Sequence, residues 1–294
     1  MTGTGPGPGG PGHGQAAALE IADLSLRFGA VAALDQVSFA VRAGEMFAVI
    51  GPNGAGKTSL FNVLSSIYPP SGGTVRCFGS DLSRRRPHQL PQLGIARTFQ
   101  NLGLFPMLSV VDNVLVGRTH LMRLGTLSAG LSTPWARREE RLHRAAAMDA
   151  LAFAGLAELA STPVGELAYG VRKKVELARA VAMEPKLLLL DEPVAGMSQA
   201  ERGEVVTLVR AIREQYDPTI VLVEHDMSTV MALAERILVL DFGRVIALGS
   251  PAEIQANPDV INAYLGKPEG LLAELGGAAG PSPGTDGHEE GLAP

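Results

Sequence analysis

A glycine-rich octapeptide, G-P-N-G-A-G-K-T, directly follows the apolar run M-F-A-V-I at residues 46–50. The spacing G-x-x-x-x-G-K-[ST] behind a short, wholly apolar run demands a buried strand, a tight loop and a helix opening near the lysine. Glycines let the backbone curl until several N–H groups converge on one point, and the helix N-terminus adds partial positive charge there. Gly51, Pro52, Asn53, Gly54, Ala55, Gly56, Lys57, Thr58 and Ser59 are therefore candidate phosphate-binding residues. Lys57 supplies a point charge and Thr58 a hydroxyl for Mg²⁺. A glycine-rich turn that binds nothing is the alternative, and the strand in front of the loop argues against it.

The bulk of the chain narrows the ligand. With 294 residues, 46% of them apolar, there is ample material for one large domain or two small ones. A net charge of −5 argues against a broad basic face for nucleic acid, so the phosphate ligand is expected to be a small molecule. Basic clusters at 84–86 and 137–144 read as solvated helix faces. The single cysteine, Cys77, excludes an internal disulfide, fits a reducing compartment and reads as a packing residue. No stretch approaches eighteen uncharged apolar residues, and the N-terminus lacks a basic region followed by a hydrophobic one. Neither a membrane span nor a secretion signal is expected.

Residues 1–17 and 267–294 are rich in Gly and Pro and are expected to be disordered tails around a folded body at 18–266. Short alternating runs at 19–28 and 36–41 suggest an antiparallel β layer beside the phosphate-binding core. The runs at 187–190, 220–223 and 237–240 are short and uniformly apolar, which suits a mainly parallel sheet covered on both faces. Between them, 199–215 and 227–234 have helical character. Residues 103–182 differ: they are rich in Arg, Ala and Leu, with helical spacing over 139–159, and read as a helical subdomain inserted into the α/β core. There is no internal repeat.

A second acidic site lies 134 residues after Lys57, in L-L-L-L-D-E-P. Parallel strands deliver their C-terminal ends to one sheet edge, the edge on which the phosphate loop also opens. Asp191, ending that strand, is placed to hold a Mg²⁺ shell, and Glu192 to polarise water against a γ-phosphate.

Gly170 stands 21 residues before Asp191, within E-L-A-Y-G-V-R-K-K-V-E-L-A-R-A. With this third element the chain resembles the ATP-binding-cassette (ABC) ATPases, whose signature is L-S-G-G-Q followed by a basic helix. Leu167 and Gly170 match it, while Ala168, Tyr169 and Val171 stand at the serine, first-glycine and glutamine positions. The resemblance implies that this segment contacts ATP held by the opposite subunit. Ala168 cannot supply the signature hydroxyl, so backbone N–H groups and the helix N-terminus are left for that task. The resemblance further implies that Gln100, in A-R-T-F-Q-N, reaches the Mg²⁺ or the attacking water. It makes His225, in V-E-H-D-M, the contact to the γ-phosphate, and Phe28 the aromatic stacked on adenine. Ser198 stands where the family usually has an aspartate.

The resemblance spans about residues 18–266 and implies a P-loop NTPase core of mixed, mainly parallel sheet, with an antiparallel β subdomain and an inserted helical subdomain. The L-A-Y-G variant, a long insertion over 118–165, E-H-D-M and the C-terminal N-P-D-V-I-N-A-Y-L-G look like the ATPases of branched-chain amino acid importers. For such a protein ATP and Mg²⁺ are the expected cofactors and ATP hydrolysis the activity. The expected partners are integral membrane permeases, a second ABC ATPase subunit in a homodimer or paralogous heterodimer and, indirectly, an extracytoplasmic solute-binding protein. The place is the cytoplasmic face of the membrane, with residues 101–114 lining the groove for a permease helix. Other readings stay open at this point: urea or short-chain amide import, lipid or lipopolysaccharide export, a nucleic-acid-associated cassette protein, or a P-loop kinase.

Overall fold

The computed structural model describes residues 17–98, 103–122 and 134–265. Gln100, residues 1–16 of the tail expected at 1–17, and the tail expected at 267–294 lie outside the described residues, while Ala17 opens the first strand.

Two sheets form the body. The first is antiparallel, in the order β2 (Val31–Arg42), β1 (Ala17–Phe28), β4 (Gly72–Cys77), β5 (Ser80–Asp81). Its long strands contain bulges, at which Asp23 and Gln36 take φ of 51° and 53°. The second runs β10 (Arg244–Gly249), β9 (Arg236–Asp241), β3 (Met46–Ile50), β8 (Thr219–Val223), β7 (Leu187–Asp191), β6 (Ile95–Arg97). All its pairings are parallel except the antiparallel edge strand β10.

The uniform apolarity of the central strands has a direct cause. Alternate residues of each strand enter different cores: Ala48, Leu188, Leu222 and Val239 face one, while Val49, Leu189, Val221 and Leu238 face the other. The second core is closed by the antiparallel sheet and by α1 (Lys57–Leu64). The first is closed by α2 (Val110–Gly117), α3 (Pro134–Phe153), α4 (Tyr169–Ala182), α5 (Gln199–Tyr216) and α6 (Met227–Leu233), followed by the C-terminal helices α7 (Pro251–Gln255) and α8 (Pro258–Leu265). A strand buried on both faces has no polar position to spare.

Helices α2, α3 and α4 pack on one another, so the Ala- and Leu-rich region is the helical subdomain that its composition suggests. The helical spacing over 139–159 is carried by α3 as far as Phe153. Gly155, at φ 71°, closes it with a Schellman motif: its N–H donates to Ala152 O and that of Leu156 to Leu151 O, at 3.0 and 2.8 Å. Arg84, Arg85 and Arg86 are exposed, as expected, but on a turn rather than a helix face, because Pro87 holds Arg86 extended (φ −101°, ψ 152°). The cluster at 137–144 does sit on the solvated side of α3. Cys77 is buried, and burial pushes its thiol up to about 12, so it is a packing residue.

Candidate functional site

Strand order decides what meets at the C-terminal edge of the large sheet. Strand β3 feeds the phosphate loop, its neighbour β8 leads to His225, and the next strand, β7, ends in Asp191 and Glu192. Strand β6, beside β7, ends at Arg97. The loop conformation depends on glycine at two points. A Cβ on Gly51 would lie 2.1 Å from Leu240 O, and one on Gly56, whose φ is 104°, would lie 2.7 Å from Ala33 O. Lys57 is buried, and its Nζ donates to the carbonyls of Gly51 (2.6 Å) and Pro52 (3.1 Å), inside the curl of the loop.

Residues 53–59 and Glu192 together line one cleft of ≈ 420 Å³, walled by Val31, Ala32, Ala33 and Phe242. Glu192 takes φ 46°, a left-handed conformation that a non-glycine residue keeps only when its surroundings enforce it, as is common at reactive centres. Its N–H donates to Val223 O at 3.0 Å, extending the β7–β8 ladder by one residue. His225 is largely exposed, with Nδ1 3.9 Å from Glu192 Oε1. Phe28 is half-exposed at the end of β1, edge-on to Tyr68 with ring centroids 5.2 Å apart. It is not among the residues lining the cleft, where Val31 and Phe242 stand instead.

Asp191 is buried behind the cleft. Arg97, which the sequence reading passed over within the same A-R-T-F-Q stretch that carries Gln100, donates from Nη2 to Asp191 Oδ2 at 2.7 Å. Its Nη1 reaches Ser65 Oγ and Asn62 Oδ1, at 2.9 and 3.0 Å, and its guanidinium lies over the Phe61 ring. One side chain thus ties the end of β6, the helix behind the phosphate loop and the acidic strand end together. The donors near the cleft, a threonine hydroxyl and a carboxylate, are hard oxygens of the kind Mg²⁺ takes alongside phosphate oxygens. No group of three or more His, Cys, Asp or Glu side chains able to cage a metal occurs among the described residues.

Residues 167–171 stand apart from this cleft. Ala168 and Tyr169 are exposed where α4 opens, whereas Gly170 is buried against Glu201, whose carboxylate a Cβ would meet at 2.6 Å. Ser198, at the position of the family's aspartate, caps α5: its hydroxyl faces the Glu201 N–H, and the Glu201 carboxylate accepts from the Ser198 N–H at 2.9 Å. The Ser198 hydroxyl, which donates to the Glu201 carboxylate at 2.7 Å, and the Ser198 N–H together hold that carboxyl below its ordinary range.

The C-terminal segment also reaches the phosphate loop. Tyr264, on α8, packs against the main core, and the Gly51 N–H is directed at its phenol oxygen. Burial holds that phenol well above its usual pKa.

Residues 34–195 match the family model described as ABC transporter. The chain belongs to the ABC transporter ATP-binding family. Residues 244–270 of this ABC ATPase match a second model, for the branched-chain amino acid ATP-binding cassette transporter, and that stretch includes Tyr264. Among curated relatives, the ATPase is 38% identical over 249 residues to the high-affinity branched-chain amino acid transport ATP-binding protein BraF of Pseudomonas aeruginosa. It is 41% identical over 251 residues to LivG of Salmonella typhimurium, which carries the same description. Each alignment takes in 85% of this chain and 98% of the relative. Its fold is that of MJ1267, an ATP-binding cassette of an ABC transporter, in the ADP conformation, with a TM-score of 0.73 and 28% identity over 86% of this chain and all of the other. CbiO1 of Clostridium perfringens superposes with a TM-score of 0.71, at 27% identity over 85% of this chain and 94% of the other. No helix among the described residues is long and apolar enough to cross a membrane.

Proposed function

We propose that this ABC ATPase hydrolyses ATP to drive uptake of branched-chain amino acids, or a related small polar solute, through partner permeases at the cytoplasmic face of the cell membrane. The observation that carries the chemistry is the meeting of residues 53–59 with Glu192 in one cleft. Lys57 and the loop amides neutralise charge on the transferring phosphoryl group, and the α1 N-terminus adds to that field. Thr58, Asp191 and Gln100 would hold Mg²⁺, which when bound would supply positive charge to the phosphates. Glu192 orients the attacking water and takes its proton, while His225, 3.9 Å away, contacts the γ-phosphate. Import is supported by the near full-length likeness to BraF and LivG and by the match over 244–270.

Two ATPase subunits, identical or paralogous, face head to tail in this reading, so that the partner subunit's Gly170 reaches the ATP bound here. The exposed α4 N-terminus suits that contact. For the permease, the helical subdomain offers exposed Phe105 and Met107 beside a groove of ≈ 630 Å³ between α2 and the first turns of α3, lined by Leu108, Leu115, Val116 and Met122. Residues 103–114 belong to this region; Asn101 and Leu102 lie outside the described residues. An extracytoplasmic solute-binding protein acts through the permeases.

The test is Glu192→Gln. Turnover should fall by roughly 10²–10⁴-fold, as for loss of a general base, while ATP binding persists and light scattering detects an ATP-dependent dimer. Normal phosphate release from that variant would rule out Glu192 as the base. ATP-dependent leucine uptake into proteoliposomes holding the ATPase with its permeases and binding protein tests the transport reading.

A further inference from the structure

Glu224 is fully buried at the end of β8, one residue before His225. Its two carboxylate oxygens serve two different loops. Oε1 accepts the Val194 N–H at 3.1 Å, two residues after Glu192, and Oε2 accepts the His225 N–H at 3.2 Å. No ion pair to Glu224 occurs among the described residues. Burial raises its pKa, and the N–H groups of Val194, His225 and Asp226, with the nearby His225, oppose that rise. A carboxyl group in this position is expensive to bury, and its acceptor geometry is what it supplies. The same two loops are laced again further out. Arg202 donates from Nε to Met197 O at 3.0 Å and pairs through Nη1 with Asp226, across a polar recess of ≈ 160 Å³ that Glu224 itself lines.

We infer that Glu224 is a positioning residue for ATP hydrolysis: its carboxylate bridges the loop following Glu192 and the loop bearing His225, so that water-orienting and phosphate-contacting groups keep a fixed separation. The inference rests on the ATPase reading above. His225 is bonded to the bridge through its own N–H and Glu192 lies two residues before the bonded Val194, so slack in the bridge is passed to both. Nucleotide binding, which depends on residues 53–59 in the loop and helix that follow another strand, β3, should be spared.

The experiment uses the full chain, ¹⁵N-labelled at His and Val, with Glu224→Ala and Glu224→Gln. Alanine removes both acceptors; glutamine keeps one oxygen and about the same volume. In Glu224→Ala the Val194 and His225 amide resonances should both move, and kcat should drop by roughly tenfold or more with the KM for ATP changed by less than about twofold. Glu224→Gln should fall between wild type and alanine in kcat, with one of the two amides less displaced than in the alanine variant. Should the alanine variant not fold, the glutamine variant decides alone, by whether kcat falls at constant KM. Unmoved amides with unchanged kcat would overturn the inference, as would a rise in KM with kcat preserved. A wild-type chain that neither binds nor hydrolyses ATP would instead overturn the ATPase reading, a result separable from any of these.

Discussion

Helix starts in this molecule divide into two kinds. Among the described residues five helices carry a side-chain cap: Ser109 on α2, Ser198 on α5, Asp226 on α6, Ser250 on α7 and Asn257 on α8 each accept the N–H three residues on. Two, α1 and α4, begin at Gly56 and Ala168 and have none. These are the helices whose N-termini are proposed above to meet phosphate, one in this subunit and one in the partner. First-turn N–H groups that no side chain occupies remain available to an anion. The two reach that state differently. Gly56 has φ 104° and ψ 3°, a conformation in which no serine cap could sit. Ala168, at φ −61° and ψ 154°, has nearly the conformation of Ser109 (−64°, 162°) and Ser198 (−64°, 161°) and lacks only the hydroxyl. One N-terminus is left open by backbone shape, the other by composition.

The sharpest way to break this contrast is to introduce the same residue at both places. Gly56→Ser should be the most damaging change: its Cβ meets the Ala33 carbonyl in a left-handed backbone, at a cost on the order of 1–3 kcal/mol in stability. ATP binding, followed by titration of a fluorescent analogue, should be lost; retained affinity would show that the loop tolerates a Cβ there. Next comes Lys57→Ala, which removes a buried, charge-assisted donor and should weaken ATP binding by roughly 10–100-fold. Unchanged nucleotide affinity would remove Lys57 from the phosphate site. Gly170→Ala should act more mildly, because the group in its way is the end of the Glu201 side chain, which can swing aside at the expense of the Ser198 capping box. A lower melting temperature with ATP affinity intact is expected, and weakened binding to the isolated subunit would contradict a role in the partner's site. The smallest effect, of opposite sign, belongs to Ala168→Ser. A cap worth about 1 kcal/mol should raise the melting temperature by roughly 2–4 °C. A melting temperature that stays put would mean that α4 gains nothing from a cap.

What the sequence makes legible is what is local. The phosphate loop is one contiguous run, so its spacing declares it, and the uniformly apolar strands 187–190, 220–223 and 237–240 declare a sheet buried on both faces. The groupings made by folding are harder to read. Arg97 and Asp191 are 94 residues apart, and nothing in either local pattern announces a pair. Glu224 in V-E-H-D reads as one more polar residue until strand order brings Val194 over it. Val31 to Asp35 escaped as part of β2 because bulges break the alternation on which a strand reading depends. Stacking of Phe28 on adenine rests on the resemblance alone: its ring packs edge-on to Tyr68, and the described cleft wall is made by other residues.

The parallel order β3, β8, β7 gives the cleft a built-in ruler. Neighbouring strands sit about 4.8 Å apart, so the roots of the phosphate loop and of Glu192, separated by one intervening strand, are held roughly 10 Å apart. That span is set by backbone hydrogen bonding alone and is indifferent to which side chains fill the cores. Substitution inside the sheet can therefore soften the molecule without respacing its reactive loops, whereas a single slipped strand would respace them all at once.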